Sequence, residues 1–320
     1  MSRSIVLFCF IASSIFSWFI WDNSDQAFKI VSSVEKAGGQ FVAVFLSHNP
    51  KTIIALKSTY NASTAVGNKK VRILIVPGHE PNFGGTAFGN IIERDLNVEL
   101  GLDLQKLLQK DNHYEVFITR DKDGWNPIFV NYFKNNWQDI QDWDNALRQE
   151  MAHLISIGST TKPVATVYHN KAPQDVALRL YGITKWANEN NVAIMLHIHL
   201  NDDPNHRKNV KGNYSGFTIY VPSEQYFNSK PSHAVSQAVF NRLAKESPVS
   251  NLPVESAGIV DEPGLIGLGI NNSADAASIL VEYGYIYESK FTDPNRRNQT
   301  LNDLAIQTYL AIQDYFNQKY

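Results

Sequence analysis

Apolar residues along this chain occur either in short unbroken runs or at helical spacing. The short runs predict buried strands at residues 71–76, 114–119, 192–198, 215–221 and 277–282. Apolar residues that recur every three or four positions predict helices at residues 93–110, 176–190, 232–245 and 301–316. Because strands and helices alternate, residues 71–320 are expected to form one α/β domain, with a mostly parallel mixed sheet flanked by helices.

One aromatic-rich segment, residues 121–173, interrupts this alternation and is interpreted as an insertion. It carries Trp125, Trp137 and Trp143 among asparagine-rich polar stretches, and its residues 139–155 have helical spacing. Long insertions beside a catalytic face often line or cover the substrate site. The alternative is an element that only packs against the domain, and the sequence favours neither.

The N-terminus begins with an uncharged apolar run at residues 4–21, which follows Arg3. At about 1.5 Å per residue such a run spans a hydrocarbon core of about 30 Å. The preceding positive charge favours an orientation with the body of the chain outside the cytoplasm. We expect residues 1–21 to be a membrane anchor rather than a cleaved secretory signal, because bulky residues precede a poor cleavage site. Residues 22–70 are expected to form a juxtamembrane stalk and linker.

Composition narrows the chemistry that the body of the chain can use. The net charge of -2 argues against a nucleic-acid partner, which usually requires a basic surface. The single cysteine, Cys9, lies in the N-terminal apolar run, so the body has neither a disulfide nor a thiolate metal site. Histidine, aspartate and glutamate therefore remain as metal ligands.

Histidines and glutamates occur where three of the predicted strands end. His79 follows the first strand, His197 and His199 end a middle strand, and Glu282 ends a late strand. Glu93 begins the helix after the first strand, where a glutamate alone would be explained by the helix dipole. A catalytic zinc takes three ligands of these types and needs a further carboxylate for proton transfer. Their co-occurrence at one edge of a sheet predicts a zinc hydrolase.

Seven short motifs, in this order, carry a family resemblance. They are Val76-Pro77-Gly78-His79, Glu93-Arg94-Asp95-Leu96-Asn97, Thr119-Arg120-Asp121, Ala187-Asn188, Ile198-His199-Leu200-Asn201, Gly216-Phe217-Thr218-Ile219-Tyr220 and Leu280-Val281-Glu282-Tyr283-Gly284-Tyr285. Over residues 71–320, apart from the insertion, the chain resembles the zinc-dependent N-acetylmuramoyl-L-alanine amidases of bacterial cell walls.

The resemblance implies a substrate, a cofactor and roles for particular residues. The substrate would be peptidoglycan, cleaved at the amide bond between N-acetylmuramic acid and L-alanine. By motif register, zinc would be bound by His79, Glu93 and His199, and Glu282 would be the catalytic acid and base. Apart from the resemblance, the position of Asn201 two residues after His199 leads us to expect that it orients this ligand. Such an enzyme works in the cell envelope, either anchored to the membrane or secreted.

The sequence departs from the family pattern in three places. His197 stands where the family usually has serine, and since residues two apart on a strand share a face, it is the rival of His199 as a ligand or else a substrate contact. The insertion separates two motifs, and Arg179 is interpreted as the arginine that normally precedes Ala-Asn. Glu80-Pro81-Asn82 follows His79, where the family usually has glycines.

Two other functions fit parts of the pattern. A different zinc peptidase that cuts the peptidoglycan stem peptide would share the metal chemistry and differ only in its products. A non-catalytic wall-binding protein would have no need of Glu282. The complete set of four residues therefore favours the amidase.

Overall fold

The computed structural model describes residues 29–37, 40–167, 172–203, 207 and 209–318. The strands are β1 Lys29–Ala37, β2 Gln40–Ser47, β3 Val71–Pro77, β4 Ala87–Phe88, β5 Ile91–Ile92, β6 Tyr114–Ile118, β7 Ile194–Asn201, β8 Thr218–Val221, β9 Ile259–Asp261 and β10 Ala277–Tyr285. The helices are α1 Ile53–Ala62, α2 Glu93–Gln109, α3 Pro127–Ser156, α4 Gln174–Glu189, α5 Ser229–Leu243, α6 Ser289–Thr292 and α7 Pro294–Asn317.

A six-stranded mixed sheet with the order β6-β3-β7-β10-β8-β9 forms the centre of the fold. The first four strands in this order run parallel to one another. The strand β8 runs antiparallel to β10, and β9 is parallel to β8. The predicted α/β fold, with a mixed sheet between helices, is therefore confirmed.

The two faces of the sheet are covered by different sets of helices. On one face α2, α5 and α7 pack over a continuous apolar core, in which Leu104 and Ile279 are fully buried. On the other face α3 and α4 cover a second apolar cluster that includes Leu74 and Met195. Alternation along each strand produces this division, because successive side chains point to opposite faces. Along β7 the even-numbered residues enter the first core, and the odd-numbered residues, His197 and His199 among them, point to the second face.

The predicted insertion is dominated by α3, which begins earlier than its apolar spacing indicates. Asn126 caps its first turn by accepting a hydrogen bond from the backbone N–H of Ile128, and Pro127 occupies the first helical position. The helix buries Phe129, Ile140 and Leu147 completely against the second face. Truncation of one such side chain typically costs about 2–5 kcal/mol, so α3 stabilises the domain by packing.

The segment before β3 contains a helix, α1, that packs on the helices of the sheet domain. In α1 Leu56 and Tyr60 are buried, and the ring of Tyr60 stacks on Phe316 with a centroid distance of 4.5 Å. This helix lies within the stretch that was expected to be a stalk and linker, and it extends to Ala62. The sequence did not predict α1, because this helix has too few apolar residues to show helical spacing.

The predicted membrane anchor at residues 4–21 lies outside the described residues. Among the residues that are described, no helix combines the length and the apolar character needed to cross a membrane.

Candidate metal centre

Three side chains that the sequence analysis singled out meet at the carboxyl ends of β3 and β7. One donor atom from each of His79, Glu93 and His199 lies within 4.8 Å of the other two. The Glu93 carboxylate is 2.8 Å from Nε2 of His79 and 3.0 Å from Nδ1 of His199. Among the described residues this is the one group of three or more histidine, cysteine or acidic side chains that are close enough to hold a metal ion.

Glu93 lies at the buried centre of this group. The backbone N–H of Thr86 donates to its Oε2 at 2.9 Å, and that of Leu200 donates to its Oε1 at 3.1 Å. Burial acts to raise the pKa of Glu93, but the charges and hydrogen bonds of His79 and His199 outweigh it and hold the pKa well below its ordinary value. The carboxylate is therefore ionised and has a fixed orientation, as a metal ligand requires.

His79 occupies a left-handed backbone conformation, with φ of 68°, in the loop after β3. Such a conformation is uncommon for a residue with a Cβ and persists where surrounding contacts enforce it. The contacts come mainly from Arg120, which is 2% exposed and donates to the carbonyls of His79 at 2.9 Å and Gly78 at 2.5 Å.

Arg120 also connects this loop to the helix that carries Glu93. Its guanidinium donates to the carbonyl of Arg94 at 3.0 Å, in the first turn of α2. Burial lowers the pKa of Arg120 to about 10, so the side chain remains charged at neutral pH. The N–H groups of one planar guanidinium thus hold both the loop that carries His79 and the helix that carries Glu93.

The imidazole of His199, near the end of β7, lies directly against Gly78 on its way to Glu93. A Cβ placed on Gly78 would lie 2.3 Å from the His199 ring, so a side chain at position 78 would displace the imidazole. This explains why the first motif needs Gly-His rather than any other residue before His79.

Glu282 lies beside His199, because the two residues are register partners in the parallel pair β10 and β7. Its Oε2 is buried and has no hydrogen-bond partner among the described residues. Burial raises the pKa of Glu282 well above its ordinary value, and the nearby carboxylates of Glu93 and Glu255 raise it further. A carboxyl group with a raised pKa and a free oxygen is suited to accept and return a proton.

A second buried carboxylate, Glu255, lies near Glu282 without belonging to any of the sequence motifs. This residue ends the short 3-10 helix Pro253–Glu255 and is 1% exposed. Its carboxylate accepts hydrogen bonds from four side chains, namely Asn201, Tyr220, Ser250 and Tyr285. The side-chain amide of Asn201, which was expected to orient a metal ligand, donates a hydrogen bond to the Glu255 carboxylate. No motif or periodicity marks Glu255, because it lies in an irregular segment.

Arg179 and His197 line a cavity of about 430 Å³, together with His79 and His199. Arg179 forms a two-pronged ion pair with Glu80 and a further contact of 2.6 Å with Asp175. His197 is 4% exposed, and it is not part of the group of metal donors. Burial, together with the neighbouring His199, lowers the pKa of His197 to about 3, so the ring is neutral.

The fold and this donor group define an α/β protein with a candidate metal centre at the carboxyl ends of parallel strands. The sequence profile of N-acetylmuramoyl-L-alanine amidases matches residues 73–314. The chain belongs to this family, as its motifs indicated, and it is an enzyme that hydrolyses the amide bond between N-acetylmuramic acid and L-alanine in peptidoglycan.

Solved structures of amidases share the fold. The amidase Ami1 from Mycobacterium smegmatis has a TM-score of 0.50 and 14% identity, over 78% of this chain and 100% of that chain. Ami1 from Mycobacterium abscessus has a TM-score of 0.50 and 15% identity, over 77% of this chain and 98% of that chain. At these identities the likeness concerns the fold alone. No curated protein sequence matches the chain significantly.

Proposed function

We propose that the chain hydrolyses its substrate as a zinc enzyme, in which His79, Glu93 and His199 hold the ion and Glu282 transfers the proton. The observation that carries this proposal is the convergence of the three donors, with Glu282 as the register partner of His199.

The donor set fits zinc in both type and spacing. Two imidazoles and one carboxylate form a common ligand set of catalytic zinc sites, and they leave a position for water. Zinc–ligand distances of about 2.0–2.2 Å in a tetrahedral site separate neighbouring donors by roughly 3.4 Å. The donors here lie within 4.8 Å of one another, so small side-chain adjustments are enough to enclose an ion.

The chemistry that zinc supplies in such a site is Lewis acidity, which favours the attack of water on an amide carbonyl. Glu282 accepts the proton of the attacking water through its unpartnered Oε2. The water oxygen bonds to the lactyl carbonyl carbon, and the bond from that carbon to the alanine nitrogen breaks. Glu282 then returns the proton to this nitrogen, so that the products are a lactyl carboxylate and a free amine.

We also propose that residues 71–320 form the catalytic domain, preceded by a membrane anchor or signal at residues 1–21 and a stalk at residues 22–70. The apolar run at residues 4–21 and the location of peptidoglycan outside the cytoplasm support this arrangement. The domain would act in the cell envelope. Sequencing the N-terminus of the mature protein would distinguish an anchor, which keeps Met1, from a cleaved signal.

The function is tested with the full chain on purified peptidoglycan. Mass spectrometry is expected to find intact stem peptides with a free L-alanine amine, together with glycan strands that carry unsubstituted lactyl groups. Removal of metal by a chelator is expected to stop the reaction, and zinc is expected to restore it. Shortened stem peptides would instead indicate a peptidase, and activity that survives complete metal removal would contradict the zinc mechanism.

Replacing Arg120 with lysine is expected to weaken zinc binding about 10- to 100-fold, the range typical for groups that orient metal ligands. A lysine ammonium cannot bridge the carbonyls of the His79 loop and of Arg94 as the guanidinium does. The measurement is competition for zinc against a chelator of known affinity, with far-ultraviolet circular dichroism as a check of folding. A folded variant with unchanged zinc affinity would show that Arg120 stabilises the fold but does not position the ligands.

A further inference from the structure

The strand β10 contains a bulge directly after Glu282. Glu282 pairs with His199 and Tyr285 pairs with Asn201, so three steps along β10 match two steps along β7. Bulges beside active sites re-aim a side chain or end the pairing of a strand. The regular register ends at Glu282 itself, so the backbone of the bulge sets where this carboxylate is held relative to His199.

Gly284 lies in this bulge and allows two side chains to approach its backbone. Its φ of 151° is one that residues with a Cβ rarely adopt. A Cβ at this position would lie 2.7 Å from Oε1 of Glu288 and 2.8 Å from Nζ of Lys290. Glu288 directly precedes the short helix α6, and Lys290 lies within it. Both are largely buried, since 14% and 17% of their side-chain surfaces are exposed.

Glu288 and Lys290 form hydrogen bonds to the backbone on both sides of Gly284. Nζ of Lys290 donates to the carbonyl of Tyr283 at 3.1 Å, and Oε1 of Glu288 accepts from the N–H of Tyr285 at 2.7 Å. The ammonium and the carboxylate are 3.6 Å apart. A bulge disrupts the ladder of a sheet locally, and buried backbone groups still need partners. This pair of side chains supplies such partners around the bulge.

Glu288 also connects the bulge to the strand on the other side of Glu282. Its Oε1 accepts a second hydrogen bond, from the N–H of Gly216 at 3.1 Å. Gly216 lies two residues before Thr218, which is the register partner of Glu282 in the antiparallel pair of β10 and β8. One carboxylate oxygen therefore holds both the strand that carries Glu282 and the segment that leads into its neighbour β8.

We propose that Glu288 and Lys290 are positioning residues for the hydrolysis, which together hold the bulge after Glu282 so that its carboxylate stays where proton transfer requires it. The inference rests on the proposed function, in which Glu282 carries the proton. A general acid or base must lie within hydrogen-bond reach of the reacting atoms, and a misplacement of about 1 Å can lower a rate about 100-fold. Neither residue is one of the three clustered donors, so zinc binding is expected to persist without them.

Lys290→Met in the full chain is expected to lower kcat on a soluble muramoyl peptide about 10- to 100-fold, with KM and zinc content little changed. Methionine keeps the apolar length of the side chain but cannot donate to the Tyr283 carbonyl. The matched control is Lys185→Met on α4, where the lysine side chain is 14% exposed and pairs with Asp139 at 2.7 Å. The control is expected to lose a comparable amount of thermal stability and to keep its kcat.

Glu288→Ala is expected to lower kcat to a similar extent, and Glu288→Gln is expected to recover most of this loss. Both backbone N–H groups bond to the one oxygen Oε1, which the side-chain carbonyl of glutamine can replace. A role that required only the charge of Glu288 would not be rescued by glutamine. The two Glu288 variants also test the inference if Lys290→Met does not fold.

A double-mutant cycle with Glu282→Gln separates positioning from general stability. If Lys290 and Glu288 act through Glu282, then Lys290→Met and Glu288→Ala should lower the residual kcat of the Glu282→Gln chain by less than about twofold, because the carboxylate that they hold is already absent. The same loss in both backgrounds would overturn the inference, and so would an unchanged kcat, a loss of zinc or a loss confined to KM. Failure of the proposed function is distinguishable, because Glu282→Gln alone would then keep the wild-type kcat.

Discussion

Glu282→Gln is expected to lower kcat for peptidoglycan hydrolysis about 1000-fold while the chain still binds one zinc ion. Glutamine has nearly the same size as glutamate but cannot accept a proton at neutral pH, and general acid–base catalysis by one side chain contributes about 10²- to 10⁴-fold. In the proposed mechanism this carboxylate serves both the attacking water and the leaving nitrogen, so we expect a value in the middle of this range.

Glu282 is not one of the three clustered donors, which is why zinc content and turnover are expected to separate in this variant. The measurement is release of stem peptides from purified peptidoglycan, paired with metal analysis of the same preparation. A Glu282→Gln chain that retains wild-type kcat would exclude this residue as the proton carrier. A chain that loses its zinc would mean that Glu282 is itself a ligand.

Glu255→Gln is the matched control, because it changes a neighbouring buried carboxylate. Glu255 accepts hydrogen bonds from Tyr220, Ser250, Tyr285 and Asn201, and a glutamine amide would direct N–H groups at some of these donors. We expect a lower melting temperature and a much smaller loss of kcat than for Glu282→Gln. Equal losses of kcat in the two variants would point to disruption of the local structure rather than to loss of proton transfer.

The sequence predicted the regular part of the fold because each element has a simple pattern. Each of the predicted strands and helices of the body overlaps an element of the structure, including β7 and α7. The helix α3 was predicted only in its second half, because Phe129 and Phe133 lie among polar residues that obscure the helical spacing. The sequence did not predict β9 or the 3-10 helices near it. Each has only three residues, which is too short to show either alternation or helical spacing.

The candidate site was predictable where residues stand at the ends of regular strands. His79 and His199 follow runs whose direction is set by the parallel sheet, so their proximity follows from topology. Strand alternation could not decide between His197 and His199, because both side chains point to the same face of the sheet. In the structure only His199, of these two histidines, contacts Glu93. The contacts of Arg120 with backbone carbonyls depend on the path of a loop, which no local pattern encodes.

Glu93→Gln is expected to weaken zinc binding about 1000-fold, which corresponds to a loss of about 4 kcal/mol. Zinc sites in proteins contribute roughly 10–16 kcal/mol of binding free energy, and Glu93 would supply one of three protein ligands and the only negative charge among them. Because His79 and His199 keep Glu93 ionised, Glu93 attracts a divalent cation more strongly than either neutral imidazole ligand would.

Metal content after dialysis against a weak chelator gives the direct measurement, and thermal unfolding with and without zinc gives an independent one. A ligand that binds only the native state raises the melting temperature, so added zinc should stabilise the wild-type chain and have little effect on Glu93→Gln. The matched control is Glu99→Gln on the same helix α2, where Glu99 pairs with Lys122 at the surface. It should keep both its zinc and its zinc-dependent stability. If Glu93→Gln retained stoichiometric zinc after dialysis, the ion would have to be held by a different set of ligands.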